Sequence, residues 1–285
     1  LDGEKIMDLS ISKKVSTIEK DYITDLISHG TRVDGRGVLE YRPIKIDAGP
    51  ILKADGSARV FLGNTQACVG IKTETGTPFP DTPDEGVVTA MAELVPFASP
   101  MYESGPPDES AIELARVVDR GIRHSDLFPK GRLIIKKNEE VYLIFIDIYY
   151  MNHDGNAWDC ASMAACCALK SLMLPSLVEK EQNGKTYLVA EGEPTPLGIE
   201  DYPVTLTFVK IGDHIIVDPS LMEELICDAR ISFCINKDGF ITSIQKNGSG
   251  TFSIEELVTA SRNARDLAPT LQQMVKDYDR DISNM

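Results

Sequence analysis

Nowhere in the sequence do about 18 apolar residues run together, the length a membrane-crossing helix requires. Leu1–Lys14 lacks the apolar core of a secretory signal. Six cysteines (Cys68, Cys160, Cys166, Cys167, Cys227 and Cys234) make no CxxC pair and no zinc spacing. Most lie in apolar runs, where a thiol behaves as a small hydrophobe, and a reducing, cytoplasmic location is expected. Positive charge is scarce: 29 Lys and Arg face 44 Asp and Glu, a formal net charge of −15. That balance excludes a chain coated in basic charge for generic DNA binding but leaves room for a local basic patch. The sequence has no GxSxG elbow, no P-loop, no GxGxxG, no metal-ligand cluster, no short-period repeat and no aromatic stripe for stacking bases. No cofactor and no metal are expected.

What is present is an ordinary globular composition, 42% hydrophobic and 26% charged over 285 residues. At about 150 residues per domain the length suggests two domains, with enough chain for a sizeable core. The spacing predicts a first helix over Val15–His29, with Ser16 and Glu19 as a capping box, an apolar stripe of Ile18, Tyr22, Ile23, Leu26 and Ile27, and Gly30 as its stop. A polar loop, Thr31–Gly37, follows. Ser57–Leu62 and Gln66–Thr73 read as a hairpin across Gly63-Asn64, and Val87–Val95 as another strand. Asp108 is a candidate N-cap for a helix to His124. Val141–Met151, interrupted only by Asp147, reads as a strand buried on both faces, closed by the turn His153–Asn156. A helix over Asp159–Met173, rich in Ala and Cys, is small enough in section to lie close against a sheet. Glu179–Tyr202, polar and rich in Gly and Pro, is the expected domain boundary. Strands are expected at Val204–Ile211, His214–Val217, Ala229–Ile235 and Phe240–Gln245. A terminal helix from Ser253 to about Asp277 should bend or divide at Pro269. The fold class is α+β, divided as an N-terminal helix region (1–30), a first domain (31–185) and a second (186–285).

The most informative local feature is the helix Asp108–His124. Ala111, Ala115, Val118 and Ile122 share one face, and Arg116, Arg120 and Arg123 fall within about 60° on the other by helical arithmetic. Converging guanidiniums can grip consecutive phosphates, because the planar fork matches phosphate oxygens. The same residues also fit an ordinary solvated face with Glu113–Arg116 and Asp119–Arg123 pairs. Asp147, His153, Asp154 and Ser162 make a hydrolase set only on paper, and His29, His124 and His214 are isolated. Gly248-Ser249-Gly250 fits a loose turn better than an anion cradle.

Several runs together go further. Arg32-Val33-Asp34-Gly35-Arg36, Tyr41-Arg42-Pro43, Gly56–Val60, Leu62–Thr65 and Gly105–Glu109 resemble the RNase PH family. Glu113–Arg120, His153–Asn156 and Val217-Asp218-Pro219 narrow the likeness to the non-catalytic RNase PH-like subunits of archaeal exosomes, from about Ile18 to Val275. The resemblance implies two RNase PH-type β/α domains, a ribosomal protein S5 domain 2-like part followed by an RNase PH C-terminal-like part. It implies a heterodimer with a catalytic RNase PH-like partner, a ring of three such dimers, S1- or KH-domain caps and single-stranded RNA in the channel. The complex shortens RNA from the 3′ end with phosphate as the attacking group. Catalytic relatives hold that phosphate with a Gly-Thr-Arg-type loop, and the matching turn here carries Trp158 in place of the arginine. They also use an essential Asp as general acid, and the match puts Arg230 there. An indole lacks the guanidinium's charge, and an arginine cannot exchange a proton near neutral pH. No catalytic residue is therefore assigned to this chain. Arg116 and Arg120 match positions that contact the RNA backbone, with Arg123 less closely matched. An active exoribonuclease with a rearranged site, and an assembly protein that never meets RNA, are the alternatives.

Overall fold

The computed structural model describes residues 15–129, 131–182 and 185–278. The chain opens with helix α1 (Thr17–Ser28), closed at its start by the predicted reciprocal bonds of Ser16 and Glu19. Strands β1 (Ile44–Ala48), β2 (Gly56–Leu62), β3 (Thr65–Gly76) and β4 (Val87–Leu94) follow, then helix α2 (Glu109–Arg123). Next come β5 (Ile134–Lys136), β6 (Glu140–Asn152), helix α3 (Ala157–Lys170), and β7 (Met173–Gln182) with β8 (Lys185–Pro196). The last part holds β9 (Val204–Ile211), β10 (His214–Val217), α4 (Leu221–Ile226), β11 (Ala229–Ile235), β12 (Ile241–Asn247) and α5 (Ile254–Asp277).

Two main sheets carry the fold. One is ordered β1-β2-β3-β6-β4 with β5 on β6, the other β10-β9-β11-β12. All pairings are antiparallel except β4 with β6. Helix α3 lies between them, against β2 and β3 on one side and β9 on the other. This explains its composition: twelve of its fourteen residues are buried, and only Ala, Cys and Ser side chains are small enough over most of that surface. Gly56 marks the closest approach, since a Cβ there would lie 2.6 Å from the Ala168 carbonyl oxygen. One continuous apolar core consequently runs through both halves of the chain, and a second, smaller one seats Ile23 and Ile27 of α1 on Val209, Ile211, Ile216 and Ile226.

The structure departs from the sequence reading in four places. Strand β6 is not buried on both faces: Tyr142, Ile144, Ile146, Ile148 and Tyr150 point into the core, while Tyr149 and Met151 on the other face are exposed. The outer face of this antiparallel sheet also carries Leu, Phe, Tyr and Met, which erased the alternation that would have revealed it. In α1 only Ile23 and Ile27 of the predicted stripe are buried, with Ile18 and Tyr22 in solvent. The polar stretch 179–202, in which no strand was expected, is largely hairpin, since β7 and β8 form a sheet of their own. Its prolines, Pro175, Pro194 and Pro196, are tolerated because a two-stranded ribbon has two open edges toward which a residue without an N–H can face. Residues 183 and 184, beside the expected boundary, lie outside the described residues. Helix α5 is not divided at Pro269, which sits inside it. Pro269 and Arg265, whose carbonyl loses its partner, are both exposed, so water can take the bond, while Ala260, Ala264, Ala268, Leu271 and Val275 anchor the helix on both sides.

Candidate nucleic-acid interface

Helix α2 is capped as expected, the Asp108 carboxylate accepting from the Ala111 amide at 2.8 Å. Ala111, Ala115, Val118 and Ile122 are buried. The three arginines opposite are not equivalent. Arg123 is paired with Asp119 at 2.9 Å, one of the two surface pairs the spacing allowed. The other does not form: Glu113 accepts instead from Gln245 Nε2 at 2.8 Å and Asn247 Nδ2 at 2.7 Å, both on β12. Gln245 in turn takes a bond from Arg120 through its own oxygen, so Glu113, Gln245 and Arg120 form one chain that fixes the Arg120 guanidinium. Arg116 is exposed, and among the described residues nothing engages its guanidinium. The surface thus offers one free cation and one held in place a helical turn later. Gln245 and Glu113 as orienting residues were not visible in the sequence, because β12 and α2 are brought together only by the fold.

Trp158 and Arg230, far apart in sequence, are in contact. The Arg230 guanidinium carbon lies 3.7 Å from the Trp158 ring centroid, and Trp158 is buried. Such stacking is an attraction of a cation for the ring face, strengthened where water is displaced. Arg230 also meets Glu224 at 3.3 Å, and Glu224 Oε1 accepts from the Asn156 amide at 3.0 Å.

Beside this pair, a polar hub joins the N-terminal loop to the second sheet. Asp218, fully buried with φ of 48°, accepts from Arg36 Nη1 at 2.9 Å, from Arg42 Nη2 at 2.7 Å and from Asn156 Nδ2 at 2.7 Å. Arg32, also buried, pairs with Glu223 through Nε at 2.8 Å. Burial alone would raise the Asp218 carboxyl, but the Arg42 side chain and amide outweigh it and hold it below the ordinary range. Glu223 is lowered likewise against its own burial, by Arg32 and Ser220. Asp159 goes the other way: desolvation pushes it up to about 7 despite bonds from Tyr41, Asn156 and Thr207.

A carboxyl depressed on folding stabilises the protein above its unfolded value and loses that contribution as pH falls. The melting temperature should therefore drop steadily from about pH 5 toward pH 3, around the unfolded carboxylate values. Glu223→Gln should flatten that decline in a thermal-melting series, and an equally steep decline in the variant would refute the assignment. Asp159 has the opposite sign, contributing most below its unfolded value and progressively less as pH rises through about 7.

The other candidates do not assemble. Asp147 lies on the outer face of β6, raised by burial and by Glu93. Asp154 accepts from Asn64 Nδ2 at 3.1 Å, and His153 sits against the Tyr102 and Tyr150 rings, its protonation disfavoured by burial. Ser162 accepts from Thr205 Oγ1 at 2.9 Å inside the core. Gly248–Gly250 is a packed turn, the Gly250 amide donating to Asp228 O at 2.8 Å. Among the described residues no group of three or more His, Cys, Asp or Glu is placed to hold a metal ion, and no helix is long and apolar enough to cross a membrane.

Residues 40–175 match the model of the 3′ exoribonuclease family domain 1, and residues 201–266 that of domain 2. The chain belongs to the RNase PH family. The Exosome complex component Rrp42 of Pyrococcus abyssi is 45% identical over 94% of this chain and 97% of its own length, and that of Methanosarcina acetivorans 44% over 92% and 95%. Among solved structures, a chain of the Archaeoglobus fulgidus exosome with RNA bound to the active site superposes with a TM-score of 0.80 at 38% identity, covering 90% of this chain and 97% of that one. An archaeal exosome core chain gives 0.79 at 35%, over 91% and 97%. Within the RNase PH family frame, Arg32, Arg36, Arg42 and Asp218, which carried the likeness in the sequence, are the members of the buried hub.

Proposed function

We propose that this chain is the non-catalytic RNase PH-like subunit of an archaeal exosome, acting in the cytoplasm. It pairs with a catalytic RNase PH-like subunit, three pairs close a ring, and S1- or KH-domain subunits cap one rim. Arg116 and Arg120 grip the RNA backbone beside the partner's reaction centre without reading sequence. There a phosphate oxygen attacks the phosphorus of the last phosphodiester, the P–O3′ bond to the preceding nucleotide breaks, the shortened strand's 3′ oxygen takes up a proton, and a nucleoside diphosphate is released. Holding the strand end in line is itself a large contribution to such a reaction. We place its two domains at 31–185 and 186–285, after the helix region 1–30.

The observation that carries the reading is the stack of Arg230 on Trp158. The two positions at which catalytic relatives hold phosphate and donate a proton are here filled by side chains bound to each other. Neither supplies a proton near neutral pH, and the buried indole adds no charge. The full chain incubated alone with single-stranded RNA and inorganic phosphate should release no nucleoside diphosphate. Co-assembly with the catalytic partner should restore release. Turnover by the chain alone would establish the rival reading, an active enzyme with a rearranged site.

A further inference from the structure

We propose that the cleft at the C-terminal end of α2 holds a base of the strand that Arg116 and Arg120 grip, and favours bases bearing an exocyclic amino group. The inference rests on the RNA-binding reading above and adds a base contact to it. Arg116, Arg120 and His124 follow one another at four-residue spacing, so each step advances about 6 Å along the helix axis on the same side. That is close to the backbone length of one nucleotide. A strand held at Arg116 and Arg120 therefore arrives next at His124, which is exposed and lines a cavity of about 550 Å³. Phe79 and Phe128 line it too, from segments that only the fold brings together. Phe79 is 56% exposed, which leaves an aromatic surface free to stack on a base. The wall that carries it is preformed. The Thr82 amide donates to Phe79 O and the Glu85 amide to Thr82 O, each at 3.1 Å, and a Cβ at Gly86 would fall 2.2 Å from that of Leu133.

The polar lining decides what enters. Asp81, Glu85 and Asp126 border the cavity, and among the described residues none of these carboxylates has an ion-pair or hydrogen-bond partner. Their neighbour Asp84, by contrast, is paired with Lys137 at 2.9 Å, and Arg123 beside the cleft is committed to Asp119. Three free carboxylates repel a phosphate, so the backbone stays on the arginines and the neutral base turns inward. A carboxylate only accepts hydrogen bonds, which suits the amino groups of cytosine, adenine and guanine. Uracil presents a carbonyl oxygen where cytosine presents its amino group, and two acceptors then face each other with no proton between them.

The test is binding of oligo(C) and oligo(U) of equal length to the ring assembled with the catalytic partner, followed by fluorescence anisotropy without phosphate. The two strands share a backbone and differ at one ring substituent, amino in cytosine and carbonyl in uracil. The wild-type ring should bind oligo(C) about tenfold more tightly, the worth of one hydrogen bond to a charged group. Asp81→Asn, Glu85→Gln and Asp126→Asn together should bring the two affinities within about twofold, since a carboxamide both donates and accepts. Taking the ratio cancels the general gain in RNA affinity that follows from removing negative charge. Phe79→Ala should weaken both strands about tenfold, because stacking on an aromatic ring tolerates any base. Equal binding of the two strands by the wild-type ring, or a preference that survives the three substitutions, would overturn the cleft. A ring that loses a subunit by mass when the carboxylates are replaced would overturn it too, assigning the cleft to a basic segment of another subunit. Arg116→Ala with Arg120→Ala separates the two readings: if that pair still weakens binding, the grip survives failure of the cleft, and if it does not, the RNA-binding reading fails as well.

Discussion

Asp218→Ala should lower the melting temperature by roughly 10 °C or leave the chain unfolded, the largest stability effect expected of a single substitution in this protein. Asp218 has no exposed surface and neutralises two arginines that are themselves almost wholly buried, Arg36 and Arg42. Removing one partner of such a group leaves uncompensated buried charge at about 3–5 kcal/mol, a large share of a typical stability of about 5–15 kcal/mol. The hub spans the fold: Arg36 and Arg42 come from the N-terminal segment, Asn156 immediately precedes α3, and Asp218 follows β10. Alanine would also have to adopt the left-handed conformation that Asp218 occupies, which short polar side chains tolerate better. Asp218→Asn, able to keep that conformation and some of the bonds, should lose less. Thermal and denaturant unfolding of the two variants would decide the matter. An alanine variant melting within a few degrees of wild type would show that the buried ions are not what ties the segments together.

The second large effect concerns RNA. Arg116→Ala with Arg120→Ala should weaken single-stranded RNA binding by the assembled ring by at least about a hundredfold, since each charged hydrogen bond to phosphate contributes about 1.5–3 kcal/mol. Losing two phosphate contacts should also make the dependence of log affinity on log salt shallower by about 1.4 units. Arg123→Ala is the internal control, because its guanidinium is already committed to Asp119. Gln245→Ala should give an intermediate loss by releasing Arg120 from the bond that orients it. Mass measurement of the ring would separate lost grip from lost assembly. Unchanged affinity and salt slope in an intact ring would mean that the arginine face only meets solvent.

Helix starts at Ser16, Asp108 and Ser253 were readable from capping spacing, and strands β9, β10 and β11 from short apolar runs between turn residues. These features depend on neighbours three or four positions away. Elements that broke the local rules were not readable. Strands β7 and β8 contain prolines and a glycine, and α4 is only six residues long, too short for a periodic signal. In β6 the apolar outer face disguised which side meets the core.

For the site, the sequence by itself determined which residue types were available: a helix with arginines on one side, an indole at Trp158 and a guanidinium at Arg230. Local periodicity and the likeness to the RNase PH family are properties of order along the chain, so they survive in one dimension. Only the tertiary structure decided that Trp158 and Arg230 stack, that Glu224 meets both Arg230 and the start of α3, and that Arg120 is held by Gln245 while Arg116 stays free. Those outcomes depend on distances between segments up to 125 residues apart, which packing of α3 between two sheets sets and no local spacing encodes.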